Sequence, residues 1–111
     1  MAYDEALAER IRALVTEEEG LTEKKMFGGL AFLIGGNMAI AASGQGGLLV
    51  RIDPAASDKL VATTSAEVMV MRGRAMDGWL RVSSADVATT SELAKWVRRG
   101  VGFARSLPAK R

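Results

Sequence analysis

Between Met26 and Val50 the chain carries no charged residue, and glycine breaks the stretch at Gly28-Gly29, Gly35-Gly36-Asn37 and Gly44-Gln45-Gly46-Gly47. A membrane-spanning helix needs about 20 consecutive apolar residues, and no piece between these breaks approaches that. Glycine accepts positive φ without steric cost, so each break is a turn and the pieces between are strands of successive hairpins. The strands are predicted at residues 22–27, 30–34, 38–42 and 48–52. In the last of them Leu48, Val50 and Ile52 alternate with Leu49 and Arg51, the mark of a strand with two different faces.

Helices are predicted on both sides of this block. Leu7, Ile11, Leu14 and Val15 form one apolar stripe, which predicts a helix from a cap at Asp4 to about Glu18, ended by Gly20. Pro54 suits the first turn of a short helix over 54–62. Strands follow at 67–71 and 79–82, with turns at Gly73 and Asp77-Gly78. Thr89 and Glu92 have the spacing of a capping box. It opens a last helix to about Ser106, with Leu93, Trp96, Val97, Gly100, Phe103, Ala104 and Leu107 inward and Pro108 closing it. The order α-β-β-β-β-α-β-β-α over 111 residues predicts one domain, 1–111. Its class is α+β in two layers: an antiparallel sheet of about five to six strands with helices on one face. The other face is left to water or to a second copy of the chain.

Composition narrows the chemistry. Apolar residues make up 49% and charged residues 25%, a globular balance that argues against disorder. Cysteine and histidine are both absent, which removes disulfides, thiolate zinc sites, Cys nucleophiles and His general bases. The carboxylates fall at a helix end (Glu17-Glu18-Glu19) or at turns and helix starts (Asp53, Asp58, Asp77, Asp86), which are capping and solvent positions. Ser57 and Lys59 are too close in sequence to share a helix face. The chain is accordingly read as non-enzymatic, without cofactor or metal. Asp4 and Glu5 near the start are not the basic opening of a signal peptide, so a cytoplasmic location without membrane attachment is expected.

Charge is unevenly spread. The first helix is acidic, whereas Lys95, Arg98, Arg99, Arg105, Lys110 and Arg111 follow Leu93 with no acid among them. Such an end suits an acidic partner, nucleic acid included, and equally suits a helix C-terminus, where cations offset the macrodipole. The glycine pairs are turn glycines and not a phosphate cradle, since no Gly-Lys-Ser/Thr follows and they lead into strands. Neighbours on a strand point to opposite faces, so Met26 and Phe27 divide between the two sides, as do Lys24 and Lys25. Met69, Met71 and Met76 are read as core fillers. Arg72, Arg74 and Arg81 around Trp79 could form a base-stacking platform, but Trp79 just after a turn glycine is read as a core anchor.

The run Lys24-Lys25-Met26-Phe27-Gly28-Gly29-Leu30-Ala31-Phe32 resembles the signature of the TfoX N-terminal domain family. Asn37-Met38, Leu49-Val50-Arg51, Arg74-Ala75-Met76, Gly78-Trp79, Trp96-Val97 and Phe103-Ala104 extend the resemblance over almost the whole chain. It implies a two-layer fold similar to YgaC-type and secretion-chaperone-like domains, a tendency to dimerise, no cofactor and no catalytic residue. It also implies a bacterial protein-interaction domain, accessory to transcriptional regulation as in competence regulators, with a transcription factor or polymerase component as partner. The named regulator continues into a helical C-terminal domain, whereas this sequence ends at Arg111. The alternative is a weak nucleic-acid binder using the basic last helix. Lys24, Lys25, Arg72, Arg74, Lys95, Arg98, Arg99 and Arg105 are the candidate contacts, and Met26, Phe27, Gly28, Gly29 and Trp79 the structural motif.

Overall fold

The glycines that break the uncharged block do close hairpins. In the computed structural model, which describes residues 3–26 and 28–108, Gly35 and Gly36 both have positive φ (59° and 83°), the signature of a two-residue type I′ turn. Phe27, Lys110 and Arg111, singled out above, lie outside the described residues. The elements run α1 (Glu5–Val15), β1 (Leu21–Met26), β2 (Gly29–Ile34), β3 (Asn37–Ala42), β4 (Leu48–Arg51), α2 (Pro54–Thr63), β5 (Glu67–Met71), β6 (Arg74–Val82), a 3₁₀ turn (Ser84–Val87) and α3 (Thr90–Ser106). All strand pairs are antiparallel, in the order β1-β2-β3-β4-β6-β5, so β1 and β5 are the edges.

The predicted caps hold the helices. Asp4 Oδ1 accepts from the Leu7 amide at 3.0 Å, Asp53 Oδ1 from Ala55 at 2.9 Å beside Pro54, and Thr89 Oγ1 from Glu92 at 3.2 Å. Two boundaries differ from expectation. Helix α1 ends at Val15, short of Glu18, and Gly20 instead turns the chain into β1 at φ +75°. Strand β6 begins at Arg74 and runs through Asp77-Gly78, which form no turn of their own. Between Val68↔Leu80 and Met69↔Met76 the β6 strand bulges, and Gly78 takes φ +85° within it. The true turn is Arg72-Gly73, both at positive φ.

All three helices lie over one sheet face. Leu7, Ile11 and Val15 of α1 and Leu93, Trp96, Val97 and Val101 of α3 bury against Phe32, Ile40, Leu48, Val50, Leu80 and Val82. Ala39 has no partner in the β2 register and bulges toward α3, where its carbonyl meets Gly100. The second face is neither bare nor helix-covered. Ala31, Met38, Ala41, Leu49 and Met69 are buried there, roofed by Met26, Leu33, Met71, Met76 and Trp79. Met26 comes from one sheet edge and Met69 and Met71 from the other, yet they wall the same cavity, so the open sheet curls over its own second face.

One buried polar group has no partner. The Ser57 hydroxyl on α2 is 1% exposed and makes no hydrogen bond. An unpartnered buried hydroxyl costs about 1–3 kcal/mol, and alanine keeps the remaining shape. Ser57→Ala should therefore raise the thermal midpoint, as read by circular dichroism, while a lower midpoint would show that the hydroxyl is bonded in solution.

Candidate functional site

The signature run forms the β1–β2 hairpin. Gly28 holds φ +76° in its turn. Gly29 has ordinary φ, but a Cβ there would lie 2.3 Å from the Ala42 carbonyl oxygen on β3. The first glycine thus serves the turn and the second a close strand approach. Both needs are structural. Lys24 pairs in register with Ala31 on the second face and Lys25 with Leu30 on the helix face; both side chains are exposed. Arg12 of α1 clamps this strand through Glu23, with Nε to Oε2 at 2.7 Å and Nη2 to Oε1 at 2.8 Å. That hydrogen-bonded guanidinium holds the Glu23 carboxyl below its ordinary range.

The predicted cations do not gather into one surface. Lys24 and Lys25 sit on the β1 edge, Arg72 and Arg74 on the β5–β6 hairpin at the opposite edge, and the other four on α3. On α3, Lys95 pairs with Glu92 at 3.3 Å and Arg105 with Glu18 at 2.5 Å, and the Arg99 guanidinium lies 4.5 Å from the Trp96 ring centre. Arg98 borders a groove with Lys59, Phe103 and Ser106 between α2 and α3. The acidic turn that follows α1 thus reaches the basic helix, where Glu18 takes one of its charges, a pairing 87 residues apart in sequence.

Trp79, read as a core anchor, packs against the smaller of the two hydrophobic clusters and not the helix-side one. It points to the second face, half-buried, with Arg51 5.2 Å from its ring centre; Arg51 also lies 5.6 Å from Phe103. Alternation along β6 places it there, because Leu80 and Val82 take the inward positions. The methionines divide as well: Met69 is buried, while Met71 and Met76 are half-buried on the same second face.

Two further features stand out, of which sequence reasoning misses the first and, for the second, leaves the exposed residue open between Met69 and Val70. One is the cavity on the second face, about 310 Å³, where Ser43 and Arg81 meet Met26, Met38, Met69 and Met71. Its cause is small residues, Gly29, Ala31 and Ala41, set beneath long ones, which only the strand register brings together. The other is the β5 edge. Val70 is 61% exposed there, the one large apolar side chain left exposed among the described residues. Among those residues no cluster of His, Cys, Asp and Glu could hold a metal ion, and no helix is long and apolar enough to cross a membrane.

The family model of the TfoX N-terminal domain matches residues 13–104, from α1 to the last turns of α3. The chain belongs to the TfoX N-terminal domain family. No curated protein matches its sequence. The matched span takes in the signature hairpin, the curled sheet and the β5 edge, so these features lie inside the TfoX N-terminal domain and not in an appendage to it.

Proposed function

We propose that this TfoX N-terminal domain is a non-enzymatic protein-interaction domain of the bacterial cytoplasm. It pairs with a second copy of itself through β5 and serves transcriptional regulation as an accessory, contacting a transcription factor or polymerase component. The observation that supports this is the contrast between the sheet's two edges. Edge strand β1 carries Glu23, Lys24 and Lys25 in succession, the charged guard that deters strand addition. Edge strand β5, Glu-Val-Met-Val-Met, has one charge, at its start. In a two-residue hairpin the pair flanking the turn, here Met71↔Arg74, exchanges both hydrogen bonds. The next residue, Val70, therefore turns its amide and carbonyl away from β6, toward the open side. Antiparallel addition of a second β5 would satisfy those groups, cover Val70, and bring Glu67 of each copy toward Arg72 of the other.

Val70→Lys puts a charge on the edge without touching the core, since Val70 is exposed in the single chain. In sedimentation velocity the wild-type protein should run as a dimer at tens of micromolar and the variant as an 11.8 kDa monomer with unchanged circular dichroism. A wild-type monomer at high micromolar concentration would overturn the pairing.

Direct nucleic-acid contact is expected to be weak. With Lys95 and Arg105 committed to Glu92 and Glu18, α3 can neutralise few phosphates. A short duplex DNA titrated at 50 mM salt should bind no tighter than the nonspecific range of about 10⁻⁴–10⁻⁶ M, and binding should vanish by 200 mM. Sub-micromolar binding that survives the higher salt would make the basic helix the functional surface.

A further inference from the structure

The cavity on the second sheet face has walls of two kinds. Met26, Met38, Met69 and Met71 supply flexible apolar surface, and Ser43 with Arg81 supplies a polar end. At that polar end the hydrogen bonds can be accounted for donor by donor. Ser43 is 8% exposed, and its Oγ accepts from the Gln45 amide at 3.1 Å and from Arg81 Nη1 at 3.2 Å. Those two bonds occupy both lone pairs of the hydroxyl, leaving its O–H as a donor without an acceptor among the described residues. Arg81 offers further guanidinium N–H groups beside it, and Ser43 is the one hydrogen-bond partner recorded for its side chain among the described residues. Among the described residues no carboxylate lines the cavity, whereas Gln45 and a second cation, Arg72, stand on its wall. Glu67 faces Arg81 across the strands but forms no ion pair with it.

We propose that this cavity binds a small amphipathic carboxylate, its oxygens on the Ser43 hydroxyl and the Arg81 guanidinium and its hydrocarbon chain along the methionines. The chemistry of the lining selects the class. Two donors meet at one end, Arg72 adds positive charge on the wall and no described carboxylate lines the cavity, so the head group is an anion that accepts from both donors. Away from that end the four methionines, with Leu49 and Val70, give the wall an apolar stretch whose unbranched thioethers adapt to a chain. The volume stands at the lower end of ligand cavities, roughly 300–1,000 Å³, so the ligand is short-chained. The cavity borders the β5 edge and shares Val70 and Arg72 with it, but its polar end, Ser43 and Arg81, lies on other elements, so the proposal does not rest on the pairing.

The test uses the methionines as reporters, since four of the chain's six line the cavity. Protein labelled at the methionine methyls is titrated with octanoate and, separately, with octanol. Octanoate should move the Met26, Met38, Met69 and Met71 signals along saturable curves. Octanol, which lacks the charge, should bind about tenfold or more weakly. Arg81→Gln should weaken octanoate about tenfold while leaving octanol unchanged. Should that variant fold poorly, the comparison of the two ligands on wild-type protein decides alone. Absence of saturable shifts at millimolar octanoate, or equal affinity for the alcohol and the acid, would overturn the proposal. So would cavity methyl signals that shift with protein concentration and resist octanoate, because a second copy would then fill the space.

Discussion

Gly100→Ala should destabilise the protein by about 2 kcal/mol, and Gly102→Ala, two residues further along the same helix, should stabilise it by up to about 1 kcal/mol. A Cβ at Gly100 would lie 2.3 Å from the Ala39 carbonyl oxygen, 3.0 Å from its carbon and 3.2 Å from Val50 Cγ1. Two of these three are backbone atoms of the bulge in β3, which cannot swing aside as a side chain can. Overpacking of this kind typically costs about 1–3 kcal/mol, here at the upper end, and the better helix propensity of alanine offsets about 1 kcal/mol of it. At Gly102 a Cβ would meet nothing within 4 Å, so only the propensity gain remains. Thermal or urea unfolding of the two variants reads the difference directly. Equal effects would mean that α3 does not sit on β3 as closely as described.

Trp96→Ala should be the most damaging single change, at about 3–5 kcal/mol, a large part of the 5–15 kcal/mol that holds a small domain together. Trp96 is 3% exposed beneath α3, and its loss also strips Arg99 of the ring it covers. Trp79→Ala should cost distinctly less, since Trp79 is half-buried on the second face and its neighbours are methionines able to move into the gap. Urea midpoints of the two variants rank the two sites. A Trp79 variant as unstable as the Trp96 variant would place the second face on an equal footing with the helix-side core.

The contrast between the tryptophans marks where sequence pattern stops being informative. Local signals were legible because their physics is local: glycine at Gly35-Gly36 for a turn, Asp4 and Thr89 for caps, the stripe of Leu7, Ile11 and Val15 for a buried helix face. For Trp79 the alternation with Leu80 and Val82 separates the two faces, but which face the helices cover, and that the other holds a second apolar cluster, is set by packing between distant elements. The Glu18–Arg105 pair was illegible for a related reason: it joins the two ends of the chain, and only the packing of α1 beside α3 brings them together. The cavity depends on register and curvature at once. Its floor is made by register across β2 and β3 and its walls by curvature that carries the two sheet edges over one face. Ser43 and Arg81, 38 residues apart, meet only in that geometry.

Whether β5 is an interaction edge can be read at the Val70 amide. Its N–H points away from β6, so in a single chain only water can bond it. Hydrogen exchange at Val70 should therefore be fast in dilute protein and should slow by an order of magnitude or more as concentration rises and a second β5 adds to the sheet. The amides of the β1 edge, guarded by Glu23, Lys24 and Lys25, should show no such dependence. Exchange at Val70 that stays fast from micromolar to millimolar protein would contradict the pairing and leave β5 an ordinary solvated edge.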